Sequence, residues 1–357
     1  MDRPVKPGDD GEREEAGMSM REAVVEVTRG PVVESRHRGI VAVVDADGAA
    51  VVAMGDVERP VFARSAVKLM QALPLVESGA ADALGLTVAE LSIAGASHNG
   101  EPAHVDTARA MLTKAGLSPE ALECGTQWPD RMDDMATLIR AGARPTALHN
   151  NCSGKHAGFL CLACTMGVDP TGYVEPDHPV QREITAALSA MTETPLDAAV
   201  RGIDGCSIPT FAIPLARVAR GFARMGTGTG LAPARAAAAR RLRQAAAAEP
   251  FMVAGTGRFC TEVMGRFGER AYVKTGAEGV FCAILPERGL GVALKVDDGG
   301  TRASEALMAA VLQRFVARDE GERGFLDAWA KRPLRTRREK PAGEVRVAAE
   351  TLAGLGG

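Results

Sequence analysis

Strand-forming sequence at the two ends of this chain, with helix-forming sequence between, is the strongest constraint on what it can fold into. From Ala23 to Asp56 the pattern is β: Val24-Val25-Glu26-Val27 alternates in part, and Gly39 to Val44 and Ala49 to Met54 are apolar runs. Asp47-Gly48 reads as the hairpin turn between those runs. The β pattern returns at Ala271 to Lys274, Gly279 to Pro286 and Gly291 to Val296, with a turn at Glu287-Arg288-Gly289 and a closing helix over Ala303 to Ala317. Buried strands must pair their backbone groups. The terminal strands are therefore expected to share one antiparallel sheet flanked by helices, a mixed α/β (α+β) fold.

The intervening sequence reads as helices joined by short loops. Pro74 should end or kink the helix that begins near Ser65, and Thr87-Val88-Ala89-Glu90 is a capping box. Further helices are expected over Glu101 to Ala115, after Ser118-Pro119, over Asp133 to Ala141, from Asn150 to about Met166, over His178 to Met191, and over Leu215 to Met225 and Ala232 to Ala248. Gly202 to Pro209 reads as a Gly/Pro-punctuated loop.

Three short motifs carry chemistry. Ser65-Ala66-Val67-Lys68 sits where strand gives way to helix, and residues three apart share a helix face. A neutral Lys68, with its pKa lowered by burial or a second cation, would take a proton from Ser65. An isolated Ser-x-x-Lys is more often a solvated helix face. Here Ser97-His98-Asn99 follows between two helices, and Lys274-Thr275-Gly276 ends a strand. Ser-x-x-Lys, Ser-x-Asn and Lys-Thr-Gly, in that order, are the motifs of penicillin-binding serine hydrolases and class A β-lactamases. In such a set one serine attacks a carbonyl and the second Ser/Lys pair relays a proton. The Lys-Thr-Gly strand presents donors to the substrate.

Cys152-x-x-Lys155 and Cys206 could supply two thiolates and a nitrogen to Zn²⁺, although lysine must first lose its proton and buried free cysteines are the plainer reading. Cys161-x-x-Cys164 lies inside an apolar helix and reads as two buried small side chains. His98 and His156 lie beside the motifs, where each could orient substrate or support a metal ligand. Asp204 could hold a substrate amino group or cap a turn, and Arg64 could hold a carboxylate or sit in a structural ion pair.

Composition narrows the classes. A formal net charge of −3 and 4% aromatic residues give no case for a nucleic-acid partner. No stretch is long and apolar enough for a membrane span, and the charged residues 1–20 do not resemble a secretory signal. Seven cysteines without an export signal predict reduced thiols and a cytoplasmic protein.

Taken together, Arg-Ser-x-x-Lys at 64–68, Ala-Ser-His-Asn-Gly-Glu at 96–101, His-Asn-Asn-Cys-Ser-Gly-Lys-His at 149–156, Gly-x-Asp-Gly-Cys-Ser-x-Pro at 202–209 and Lys-Thr-Gly-Ala-Glu-Gly at 274–279 resemble the Rhizobium etli-type, or class 3, L-asparaginases. The resemblance spans about Ala23 to Phe315. It implies a serine β-lactamase-like fold, a homodimer, and hydrolysis of L-asparagine to L-aspartate and ammonia through a Ser-Lys nucleophile and an acyl-enzyme. It implies Ser65 as nucleophile with Lys68, Ser97 with Lys274 as a second pair, and Zn²⁺ on Cys152, Lys155 and Cys206. Arg64, His98, Asn99, His156, Asp204, Thr275 and Gly276 are then expected at the substrate or around the metal. Residues 1–20 are read as a disordered leader, 21–332 as the catalytic domain and 333–357 as a tail. Two other readings stay open: a β-lactam- or peptide-processing serine hydrolase, and a non-catalytic zinc or small-molecule binding protein on the same fold.

Overall fold

The computed structural model describes residues 23–356; the expected leader lies outside them. Eleven strands are described: β1 Ala23–Arg29, β2 Val32–Asp45, β3 Ala50–Met54, β4 Pro60–Phe62, β5 Arg201–Ile203, β6 Pro209–Pro214, β7 Tyr272–Thr275, β8 Val280–Leu285, β9 Leu290–Val296, β10 Lys331–Arg335 and β11 Pro341–Val347. Most form one sheet in the order β10-β11-β1-β2-β9-β8-β7, with β3 also on β2. The expected sharing of one sheet by the two ends of the chain is what joins it. β2 pairs β9 antiparallel from Gly39↔Val296 to Asp45↔Leu290, while its first half pairs β1.

The turns follow their chemistry. Gly48 takes a left-handed φ of 95° in the β2–β3 turn, closed by the Asp45–Ala49 backbone pair. β8 is buried at every position, as a strand covered on both faces must be. Helices Leu215–Thr227 and Thr301–Phe315 both pack against it. The helical region between β4 and β7 holds a helix, Ser153–Met166, that is buried on nearly all sides and carries an apolar sequence to match. The Thr87 capping box forms, with Glu90 N–H on the Thr87 hydroxyl and Thr87 N–H on the Glu90 carboxylate.

Three expectations need correction. The segment after Ser118-Pro119 makes one 3₁₀ turn, Pro119–Ala121, because Leu122 turns to extended backbone (ψ 122°). Gly202 to Pro209 is a hairpin rather than a free loop: β5 and β6 pair from Arg201↔Phe211 to Ile203↔Pro209, and only the turn between them is irregular. The residues beyond Lys331 do not trail as a tail. β11 pairs β1 at Val25↔Val347 and Val27↔Val345, with Val345 and Val347 buried. Their Val-Arg-Val alternation faces the core at every second residue.

Candidate active site

Several elements deliver the motif residues to one place. β4 leads into the 3₁₀ turn Arg64–Val67, which carries Ser65, and the helix Lys68–Gln71 that follows carries Lys68. The loop after helix Val88–Ile93 carries Ser97, helix Ser153–Met166 has Cys152 at its N-cap and Lys155 and His156 in its first turn, and β7 ends on Lys274 and Thr275. The β5–β6 turn brings Asp204 and Cys206. β4 also pairs β6, so one small sheet ties the Ser65 turn to the Asp204 turn.

Two motif glycines permit this convergence. A Cβ on Gly276 would lie 2.9 Å from Ala63 O and 3.2 Å from Ala66 N, on either side of Ser65 in sequence. A Cβ on Gly154 would lie 2.6 Å from Ile93 O, so helix Ser153–Met166 crosses directly over the segment that leads to Ser97. Larger residues would hold the motifs apart.

Ser97 is the hub. Lys68 Nζ lies 2.9 Å and Lys274 Nζ 2.8 Å from its Oγ. Lys68 Nζ also donates to Ala96 O (2.6 Å) and meets Cys152 Sγ (3.0 Å), and none of these contacts is to Ser65. Three acceptors around Nζ are as many as an ammonium can serve. Lys274 Nζ has one other partner, Thr275 O at 2.8 Å. Both lysines and Ser97 are buried, and Ser65 is half-buried. Burial, reinforced by the charge of Lys68, pushes the Lys274 amine well below the ordinary lysine range. The surroundings of Lys274 thus favour its neutral form.

The thiol cluster adjoins this hub. Lys155 Nζ is 3.0 Å from Cys206 Sγ. A hydrogen bond from Cys206, with the charges of Lys68 and Lys155, holds Cys152 well below the ordinary thiol range despite its burial. The same contact pushes Cys206 up. Burial works to lower Lys155, but Cys206 and Cys152 outweigh it and raise it. Among the described residues, no group of three or more His, Cys, Asp and Glu side chains converges as a metal site. The set on offer is two thiols and one lysine amine.

At the exposed side Arg64 Nε donates to Asp204 Oδ1 at 2.6 Å, and Gly205 N–H donates to the same oxygen at 2.7 Å. Burial would raise Asp204, but Lys155 and Arg64 overcome it and hold the carboxyl low. Arg64 itself adopts a left-handed φ of 50°, a conformation sparsely populated by L side chains, immediately before Ser65. A groove of about 440 Å³ opens there, with Arg64, Phe62, Ile203 and Glu278 among its lining residues.

His98 and Asn99, expected at the substrate, spend their polar atoms on the protein. His98 accepts from Gly100 N–H at Nδ1 and meets Ser153 Oγ through Nε2, and its buried ring stacks on His104. Asn99 donates to Glu101 and to Thr256 O and accepts from Arg258. With Ser97 N–H on Val253 O and Asn99 N–H on Ala254 O, these contacts fasten the loop that presents Ser97. Glu101, the last residue of the Ala-Ser-His-Asn-Gly-Glu motif, and Arg258 belong to this support. Arg258 was not expected there: its partner Asn99 lies far away in the chain, and nothing in its local sequence marks it.

Comparison with known proteins agrees with the motif reading. No curated protein sequence matches the chain. Among solved structures, a β-lactamase from Mycobacterium bovis aligns over 78% of this chain and 95% of its own, at 13% identity and a TM-score of 0.38. A mutant of simvastatin synthase from Aspergillus terreus aligns over 72% and 86%, at 12% identity and a TM-score of 0.36. Likeness at that level carries no argument about reaction. The sequence model of L-asparaginase II matches residues 25–347, reaching through β11 and beyond the span of the motifs. The chain belongs to the L-asparaginase II family, a family of amidohydrolases.

Proposed function

We propose that this amidohydrolase cleaves the side-chain amide of L-asparagine, giving L-aspartate and ammonia, through an acyl-enzyme on Ser65. The observation that carries the reading is Ser97 Oγ held between two buried amines, at 2.9 and 2.8 Å. A proton moving from Lys68 to Ser97, as the Ser97 proton moves to neutral Lys274, leaves Lys68 neutral and Lys274 charged. Lys68 is then the base for Ser65, three residues before it. Ser65 Oγ attacks the amide carbon. The proton returns through the same groups to the departing ammonia, and water repeats the cycle on the ester. Gly276 N–H is committed to Val280 O, so the N–H groups of Ser65 and Ala277 are the candidate donors to the oxyanion.

The Arg64–Asp204 pair is the charge mirror of an amino-acid zwitterion. A substrate α-carboxylate would pair with Arg64 and its α-ammonium with Asp204, each replacing the contact the two now make with each other. That pairing favours a free amino acid over a β-lactam.

Cys152, Lys155 and Cys206 fit a divalent metal of zinc type in donor chemistry: two thiols and an amine, with Lys155 Nζ 3.0 Å from Cys206 Sγ. Such an ion would supply Lewis acidity beside the substrate. Lys155 and Cys206 would each have to give up a proton to receive it. A homodimer and a cytoplasmic setting belong to the same proposal. The second is supported by seven free cysteines. The test is ammonia release from L-asparagine and L-glutamine, with nitrocefin as the competing substrate. Turnover of nitrocefin in place of either amino acid would overturn the reading.

A further inference from the structure

Behind the thiol cluster, His156 is fully buried and half satisfied. Its Nδ1 lies 2.7 Å from the hydroxyl of Tyr173, and its Nε2 is buried with no partner among the described residues. The Tyr173 side chain is itself fully buried and meets the imidazole edge-on, at 5.4 Å between ring centres. Its hydroxyl accepts the Glu123 N–H at 3.0 Å. A phenol has a single proton to donate, and here one acceptor is within reach of it, His156 Nδ1. The opposite arrangement, with Nδ1 donating, would leave the phenol proton buried and unused. A neutral imidazole that accepts at Nδ1 carries its proton on Nε2.

We propose that Tyr173 is a positioning residue that holds His156 in the Nε2–H tautomer, making His156 a preset donor to a carboxylate oxygen of the bound amino acid. The hydroxyl of Tyr173 never meets the ligand. It is anchored from behind: Gly172 N–H donates to the Glu123 carboxylate at 2.7 Å, and Gln181 Nε2 donates to Tyr173 O at 2.9 Å. A buried N–H without an acceptor is costly, and a ligand oxygen arriving there removes that cost. The inference rests on the amino-acid substrate proposed above.

The test pairs a spectroscopic reading with kinetics. Long-range ¹⁵N–¹H spectra, with His156 assigned through His156→Gln, are expected to show protonated Nε2 in the free protein and a shift of that nitrogen on adding L-aspartate. Tyr173→Phe keeps the ring packing and removes the hydroxyl. It should release the tautomer and raise KM for L-asparagine about tenfold, the worth of one hydrogen bond, with kcat little changed. His156→Gln carries an amide N–H in place of Nε2–H and needs no tautomer. Adding Tyr173→Phe to it should therefore cost nothing further, whereas a merely structural role for Tyr173 would add its full effect. Protonated Nδ1 in the free protein, an Nε2 unmoved by L-aspartate, or additive effects in the double variant would each overturn the inference. Protonated Nε2 that responds to L-aspartate in a protein with no asparagine turnover would leave the inference standing and defeat the proposed reaction.

Discussion

Lys68 and Lys274 share one acceptor, with Ser97 Oγ 2.9 Å from the first amine and 2.8 Å from the second. Two buried amines on one oxygen cannot both hold a full charge cheaply. In the proposed mechanism Lys274 stores the proton, and Lys68 faces both Ser97 and Cys152. Ser97→Ala cuts the connection while leaving both lysines in place. It is expected to lower kcat for L-asparagine by about 10²–10⁴, the range for a lost general acid–base step, with little change in KM. Stopped-flow ammonia detection measures it; a KM effect without a kcat effect would make Ser97 a binding residue.

Lys274 also sets a pH dependence. Its native pKa lies well below the ordinary value of 10.5, so between those two values the unfolded chain binds more protons than the folded one. Stability should rise with pH across that window, and below the lowered value the full penalty of burying the cation should remain. Activity should rise over the same lower limb as Lys274 becomes neutral. Lys274→Met removes the charge at similar volume. It should flatten this part of the stability curve, remove turnover, and leave the protein at least as stable near neutral pH. Denaturant melts from pH 6 to pH 10 test both halves, and a wild-type curve that falls across the window would contradict the assignment.

Metal affinity at the thiol cluster should climb with pH. Lys155 and Cys206 are both raised and both must deprotonate to ligate, so zinc binding releases up to two protons. Competition against a chromophoric chelator at several pH values, with proton release followed in weak buffer, gives the number. Affinity that ignores pH, or that survives Cys152→Ser and Cys206→Ser together, would place the metal elsewhere.

Gly276→Ala tests the convergence of the motifs. The new Cβ, 2.9 Å from Ala63 O, must push β7 away from the Ser65 turn, at a cost of about 1–3 kcal/mol. Turnover should fall more than stability does, because Lys274 travels with the strand. Comparing thermal melts with kcat separates the two, and an active, fully stable variant would show that the close approach is not needed.

The end strands, their hairpin turns and the Thr87 cap were legible because they depend on local pattern, and the sheet followed once distant strands had to pair. The motif set was legible because its spacing is chemical. The partners of the Lys68 amine were not. Residues three apart on a helix share a face, but the Lys68 amine sits at the end of a four-carbon stem and turns to acceptors carried in by Ala96, Ser97 and Cys152. The last strands were missed because the basic, Gly-bearing sequence around residue 340 hid a short Val-Arg-Val alternation. His98 and Asn99 spend their polar atoms on the protein, which the motif does not show. Motif position says that a residue lies near a site, whereas only the surrounding partners say whether its polar atoms are still free. Tyr173 left no trace in the sequence, since its importance rests on a contact with His156 across a turn.

The most direct test is ammonia release from L-asparagine by the wild-type chain and by Ser65→Ala, side by side, at equal folded concentration. The account predicts steady release by the wild type and a loss of several orders of magnitude in the variant, as removal of a nucleophile from a coupled unit gives. Release by Ser65→Ala within about tenfold of wild type would contradict it, since no such unit survives loss of its nucleophile so lightly.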